Sequence, residues 1–233
     1  TMVTLTNTVQ VLLSLDASKA GVYIEERKNM KVETIVAVIA KLQADSYDPM
    51  GDSVQNLTNI LVEVVEKYYL IADGKFMLEP VLTMNTIEQL VEMALGSNPF
   101  TALPAMTLLI SIINHYSFSS MNNEDKDSHE ATLKNIERID SQPVVQVLCR
   151  NFERFTSVLD HASKINLVQY KTLELLCHSV SLSSNSILSA IKRTKYLELL
   201  LELLFRHENS NITHMLIERT FLHLFVNEKK FYD

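Results

Sequence analysis

Three histidines lie close together near the end of the chain, in the stretch HENSNITHMLIERTFLHLF, at positions 207, 214 and 223. Imidazole is a common metal ligand and a common general base, so such a group could form a metal site or a catalytic site. In an α-helix, however, His214 and His223 are nine residues apart and point to opposite sides. His207 precedes the turn. We therefore expect no metal site here.

The two cysteines offer little more for catalysis. Cys149 and Cys177 form no CxxC pair, and the side chains of adjacent Cys177 and His178 diverge by about 100° on a helix, which is wrong for a nucleophile and its base. Motifs for nucleotide binding, serine hydrolysis and zinc proteolysis are missing, and only four glycines are present. We expect a noncatalytic chain without cofactor; the competing hypothesis is a helical enzyme that uses His161 or Cys177.

A polar trio near the same turn has two interpretations. Asn211, His214 and Glu218 follow one another at spacings of three and four, which places them on one face of a helix. In the structural interpretation Asn211 caps the helix, while His214 and Glu218 form a pair at i, i+4. In the functional interpretation all three side chains hydrogen-bond a partner protein. Asn56, near the start of an upstream helix, is open to the same two interpretations, and Glu63, further along that helix, is either part of an ordinary polar face or a partner contact.

Composition narrows the classes of protein. The 233 residues are 47% hydrophobic and carry a net charge of −7 without a dense basic cluster, so we expect no nucleic-acid partner. The longest uncharged apolar stretch, residues 102–113, is shorter than the roughly 20 residues of a membrane span. No N-terminal segment resembles a signal peptide, and we expect a cytoplasmic protein, with the nucleus as an alternative.

Apolar residues recur at three- and four-residue spacing almost throughout, which is typical of amphipathic helices, and no strand is needed. The polar segment at about 117–128, SFSSMNNEDKDS, predicts a surface loop. The spacing predicts helices over residues 7–17, 30–42, 52–70, 84–95, 101–115, 129–138, 143–159, 165–180, 184–193, 195–206 and 211–227.

A similar apolar pattern starts at Val32, Ile87 and Leu197, at offsets of 55 and 110 residues. A helix pair of this kind cannot bury its apolar face alone and must stack on its neighbours. We therefore expect an all-α, armadillo/HEAT-like α-solenoid of stacked helix pairs, with about ten to eleven helices in a single helical-repeat domain over residues 1–233. The helix at 195–206 is apolar on nearly every side, which predicts an inner helix between layers.

The last two predicted helices, LELLFRHENSNITHMLIE, resemble a segment of the SAPS-domain family of phosphatase regulatory subunits. That family has a leucine-acidic-leucine stretch that ends in phenylalanine, then a turn and an Asn-Asn-aromatic-Leu-His segment followed by an apolar residue and glutamate. The chain departs from the pattern at Ser210, Ile212 and Thr213. The matching residues are Glu202, Leu203, Phe205, Asn211, His214, Ile217 and Glu218.

Four further segments resemble the same family in the same order along the chain. QNLTNILVEVV contains Asn56 and Glu63 at matching places, and YIEERKNMKVETIVAVI begins at Tyr23 where the family usually has tryptophan. NTIEQLVEMAL from Asn85 and KTLELLCHSV from Lys171 are the other two. Together with the last helix pair, the resemblance covers most of the chain from residue 23 to residue 225.

The resemblance implies a regulatory or scaffold subunit that binds the catalytic subunit of a protein phosphatase 6-type serine/threonine phosphatase and directs its substrate choice. It also implies that the chain is eukaryotic, that the metal ions of the complex belong to the partner, and that a further scaffold subunit is a candidate second partner. The alternative is a helical-repeat scaffold for another client, such as a trafficking adaptor, a chaperone cofactor or another phosphatase regulator. The candidate partner-binding residues are Asn56, Glu63, Asn211, His214 and Glu218.

Overall fold

The computed structural model describes residues 24–45, 52–70, 74–121, 129–160 and 165–232. Every regular element within these ranges is a helix, so the predicted all-α class is confirmed. The expected helix at 7–17, the resemblance at Tyr23, and His161 of the competing enzyme hypothesis lie outside the described residues.

The described residues contain eleven α-helices and one 3-10 helix, Tyr68–Leu70. In chain order the α-helices are α1 (Ile24–Ala44), α2 (Asp52–Lys67), α3 (Lys75–Leu78), α4 (Met84–Ala94), α5 (Pro99–Met121), α6 (His129–Asp140), α7 (Pro143–Asp160), α8 (Leu167–Val180), α9 (Asn185–Arg193), α10 (Tyr196–Arg206) and α11 (Asn211–Tyr232).

Most helix ends fall within a few residues of their predicted places, and the differences are local. The short helix α3 was not expected from the periodicity. Helix α5 extends to Met121, so residues 117–121 of the predicted polar loop are helical, while residues 122–128 lie outside the described part of the chain. The segment SFSSM contains no glycine or proline that would end the helix, which explains the extension.

The chain divides within α5 into two compact units. We call Thr1–Ile112 unit 1 and Ile113–Asp233 unit 2. Each unit has its own buried apolar residues. A single domain over residues 1–233 and a stacked solenoid arrangement both stay predictions.

In unit 1, α1 packs against α2 and α3 through one apolar stripe. Ile35, Val38 and Leu42 are fully or almost fully buried, at spacings of three and four that keep them on one side of α1. Thr83 caps α4, because its hydroxyl accepts a hydrogen bond from the backbone N–H of Thr86. Local sequence signals thus account for both the face and the start of these helices.

In unit 2, α7 packs against α8 and α9, and α8 packs against α11. Helix α8 begins with a capping box, in which Asn166 and Gln169 exchange side-chain and backbone hydrogen bonds. The ring of Tyr196, from the start of α10, lies fully buried against the ring of Phe152 from α7, with centroids 5.4 Å apart in an edge-to-face arrangement. This contact fixes α10 against the core of unit 2.

The expectation that α10 is covered on all sides is wrong. Its buried residues are Tyr196, Leu199, Leu200 and Leu203, whereas Leu201 is 46% exposed and Phe205 is 71% exposed. An apolar helix can bury only the sides that face a neighbour, and unit 2 supplies neighbours on one side of α10 alone. Three of its eight apolar side chains, Leu197, Leu201 and Phe205, are therefore exposed.

The orientation of α10 can be tested with two matched leucine substitutions. Leu203→Ala should lower the free energy of unfolding by about 2–5 kcal/mol, because it leaves a cavity in the core. Leu201→Ala removes the same atoms from a half-exposed site and should cost about 1 kcal/mol or less. Urea unfolding followed by circular dichroism measures both, and equal losses would contradict the observed rotation of the helix.

Candidate functional site

Helices α10 and α11 form a hairpin whose turn is closed by backbone hydrogen bonds. The N–H of His207 donates to the carbonyl of Leu203 at 3.1 Å, and the N–H of Ser210 donates to the carbonyl of His207 at 2.9 Å. The N–H of His214 then donates to the carbonyl of Ser210 at 3.0 Å, which begins the hydrogen bonding of α11. The stretch in which the histidines cluster is thus a tight, ordered helix connection.

Ser210 directly precedes the first residue of α11. Helix α11 begins at Asn211, so Ser210 occupies the N-cap position, and its hydroxyl lies 2.8 Å from the hydroxyl of Thr213. The side chain of Asn211 is exposed and has no hydrogen bond to any described residue. The capping role that one interpretation gave to Asn211 is therefore wrong, and its amide is available to a partner.

The inner side of α11 is anchored in unit 2. Leu216 and Ile217 are almost fully buried, and the hydroxyl of Thr220 donates to the carbonyl of Leu216 at 2.8 Å. Burial raises the pKa of the Cys177 thiol on α8, and the neighbouring Thr220 hydroxyl partly opposes that rise. The inner side of α11 thus lies against α8, which fixes which of its residues face outward.

The outer side of α11 carries five residues at spacings of four, three, four and three. Asn211, Met215, Glu218, Leu222 and Phe225 are all exposed, and we call them the α11 row. Its three apolar side chains, Met215, Leu222 and Phe225, are each between 55% and 60% exposed. Residues at this spacing line one side of a helix and form the seam of a coiled coil.

A second exposed apolar row lies on α10. Leu197, Leu201 and Phe205 recur at i, i+4 and i+8, and we call them the α10 row. Exposed apolar side chains that occur singly need no explanation, but a cluster of them marks an interaction surface. The α10–α11 hairpin presents such a cluster on both of its helices.

The structure separates the three candidate residues of this hairpin. Asn211 and Glu218 belong to the exposed α11 row, whereas His214 is half-buried and its Nε2 atom is buried without a hydrogen-bond partner. The expected pair between His214 and Glu218 is not formed, because the imidazole nitrogen is buried while the carboxylate stays in water. Asn211 and Glu218 are thus accessible to a partner, and His214 contributes to packing beside them.

The two upstream candidates have different surroundings. Asn56 and Glu63 lie seven residues apart on the exposed side of α2, in unit 1. The Glu63 carboxylate forms an ion pair with Lys67, in which Oε2 and Nζ lie 2.5 Å apart. This ion pair raises the pKa of Lys67. No large apolar side chain of α2 is exposed. This face resembles an ordinary solvated helix surface more than an interface.

Burial shifts the pKa values of several cysteines and histidines of unit 2. Burial raises the pKa of Cys149 to about 11 and also raises that of Cys177, so both thiols are protonated at neutral pH. Burial, and then the nearby Arg219, lower the pKa of His178 and of His223. The described residues contain no group of three or more histidine, cysteine or carboxylate side chains that could hold a metal ion.

Sequence reasoning did not predict that the apolar members of both rows are exposed. The four-three spacing was present as a signal, but Asn211 and Glu218 interrupt the α11 row, and the apolar residues of α10 were interpreted as core.

Among the helices that the structure describes, none is long and apolar enough to cross a membrane. Comparison of the chain with protein-family models, curated proteins and solved structures finds no match.

The lowered histidine pKa values predict a pH-dependent stability. His178 faces Arg219 and His223 on α11, with Glu174 and Lys171 beside it on α8. The unfolded chain binds a proton at His178 near its ordinary pKa of 6.5, whereas the folded chain binds it only at lower pH. The free energy of unfolding should therefore decrease as the pH falls below about 6.5.

His178→Gln removes this titrating group and should make the loss of stability between pH 7.5 and pH 5 smaller. Thermal unfolding of the variant and of the unchanged chain over this pH range measures the difference. An unchanged pH dependence in His178→Gln would contradict the assignment.

Proposed function

We propose that the chain is a noncatalytic regulatory or scaffold subunit that binds a protein phosphatase 6-type catalytic subunit through the α10–α11 hairpin and directs its substrate choice. The observation that carries the proposal is the α11 row, in which Asn211 and Glu218 stand exposed among Met215, Leu222 and Phe225. The segment of strongest resemblance to the SAPS-domain family is this same hairpin.

The composition of the row supports protein binding. Protein interfaces combine a buried apolar centre with polar groups that fix the register of the partner. Met215 and Leu222 supply apolar surface, while the Asn211 amide and the Glu218 carboxylate supply hydrogen-bonding groups that no described residue occupies. A surface of this kind suits a subunit that positions another protein.

Two further features accompany the proposal. The stacking of helix pairs into an armadillo/HEAT-like solenoid would place the hairpin in a series of similar units, as the offsets of 55 and 110 residues predict. The free thiols of Cys149 and Cys177 suit a reducing compartment, and we propose a cytoplasmic location with the nucleus as an alternative. Metal ions and catalysis would belong to the phosphatase subunit.

The direct test measures the affinity of the chain for a purified phosphatase 6-type catalytic subunit by biolayer interferometry. The double variant Asn211→Ala, Glu218→Lys should weaken binding at least tenfold, because truncating a polar group at an interface leaves its partner group unpaired. Both substitutions lie on the exposed surface, so the helix content should stay the same.

Glu137→Lys on α6 is the matched control, because it makes the same charge change at an exposed site away from the hairpin. It should bind the phosphatase subunit as the unchanged chain does. Equal binding by the double variant would exclude the contact role of Asn211 and Glu218. Absence of binding by the unchanged chain would overturn the phosphatase proposal and favour another client.

A further inference from the structure

We propose that the α11 row binds an amphipathic α-helix of the partner, with apolar residues at four-three spacing and a lysine or arginine opposite Glu218. This deepens the proposed function and rests on it for the role of the hairpin as a binding surface. It adds the kind of secondary structure and the charge that the partner must present.

The shape of the row requires a helical occupant. The row runs over 15 residues, from 211 to 225, which corresponds to about 21 Å along the helix axis. Beyond its first turn the backbone of α11 is hydrogen-bonded internally, so most of the row offers no free N–H or C=O groups to an added strand. An extended peptide on this apolar row would leave its own backbone groups unpaired, whereas a helix satisfies them within itself.

Glu218 decides the charge of that helix. It stands at the middle of the row between Met215 and Leu222, and no ion pair joins it to another described side chain. A carboxylate at the centre of an apolar interface is costly unless a cation neutralises it. The adjacent Arg219 is also exposed, but its Nε donates to His223 Nε2 at 3.4 Å, and it forms no ion pair with Glu218. A lysine or arginine of the partner can therefore pair with Glu218.

A second copy of the chain does not fit the row. Glu218 lies at its midpoint, seven residues from Asn211 and seven from Phe225. An antiparallel two-fold pairing that covers the whole row places the two Glu218 carboxylates against each other, and an in-register parallel pairing does the same. Like charges at the centre of an interface destabilise it. The row therefore favours a different protein as its partner.

The test uses two synthetic helical peptides that share one apolar row of leucines at four-three spacing. One peptide carries lysine at the central position and at the flanks, and the other carries glutamate there. Fluorescence anisotropy with the 233-residue chain should give at least about tenfold tighter binding of the lysine peptide. Leu222→Asp should abolish this binding, and Glu137→Lys on α6 should not change it.

Charge reversal makes the test specific. Glu218→Lys should weaken binding of the lysine peptide and strengthen binding of the glutamate peptide, which a general attraction between a basic peptide and an acidic protein would not do. Circular dichroism checks that every variant keeps its helix content. Equal binding of the two peptides, no binding of either, or an unchanged preference in Glu218→Lys would overturn the proposal.

Two other results separate this inference from the proposed function. Self-association of the chain at micromolar concentration, abolished by Leu222→Asp, would overturn the inference in favour of a second copy. Discrimination between the peptides without any binding of the phosphatase subunit would support the inference and overturn the phosphatase proposal alone. Phosphatase binding without peptide discrimination would overturn only the inference.

Discussion

The burial of Tyr196 is the constraint on which the exposed α10 and α11 rows depend. Its ring packs edge to face on Phe152 of α7, and its hydroxyl lies close to Cys177 of α8 and Thr220 of α11. Burial raises the pKa of this phenol, with Cys177 adding to the rise and Thr220 opposing it. One aromatic side chain thus brings together four helices of unit 2 and fixes the rotation of α10.

The exposed rows follow from that rotation. Once Tyr196, Leu200 and Leu203 face the core, Leu201 and Phe205 can only face solvent, because α10 has apolar residues on nearly all sides. The inward Thr213, Leu216 and Thr220 fix α11 in the same way and leave its four-three row outside. Exposing this apolar surface is unfavourable in the free chain, and covering it with a partner helix would recover that free energy.

Local patterns predicted much of the fold, because spacing and capping act within a few residues. The capping box of Asn166 and Gln169 marks the start of α8, and Ser210 marks the start of α11. The outward face of α10 could not be predicted, since a helix that is apolar all round has no preferred side until its neighbours are known. The same limit applies to His214, whose burial depends on the packing of α11 and which therefore does not pair with Glu218.

The central claim is that the outer side of α11 binds the partner. Hydrogen exchange of the 233-residue chain, alone and in complex with a purified phosphatase 6-type catalytic subunit, tests it most directly. The account predicts slower exchange across residues 211–225 in the complex, with no change across α7 (Pro143–Asp160). A complex that forms without protection of α11, or with protection confined to unit 1, would contradict it.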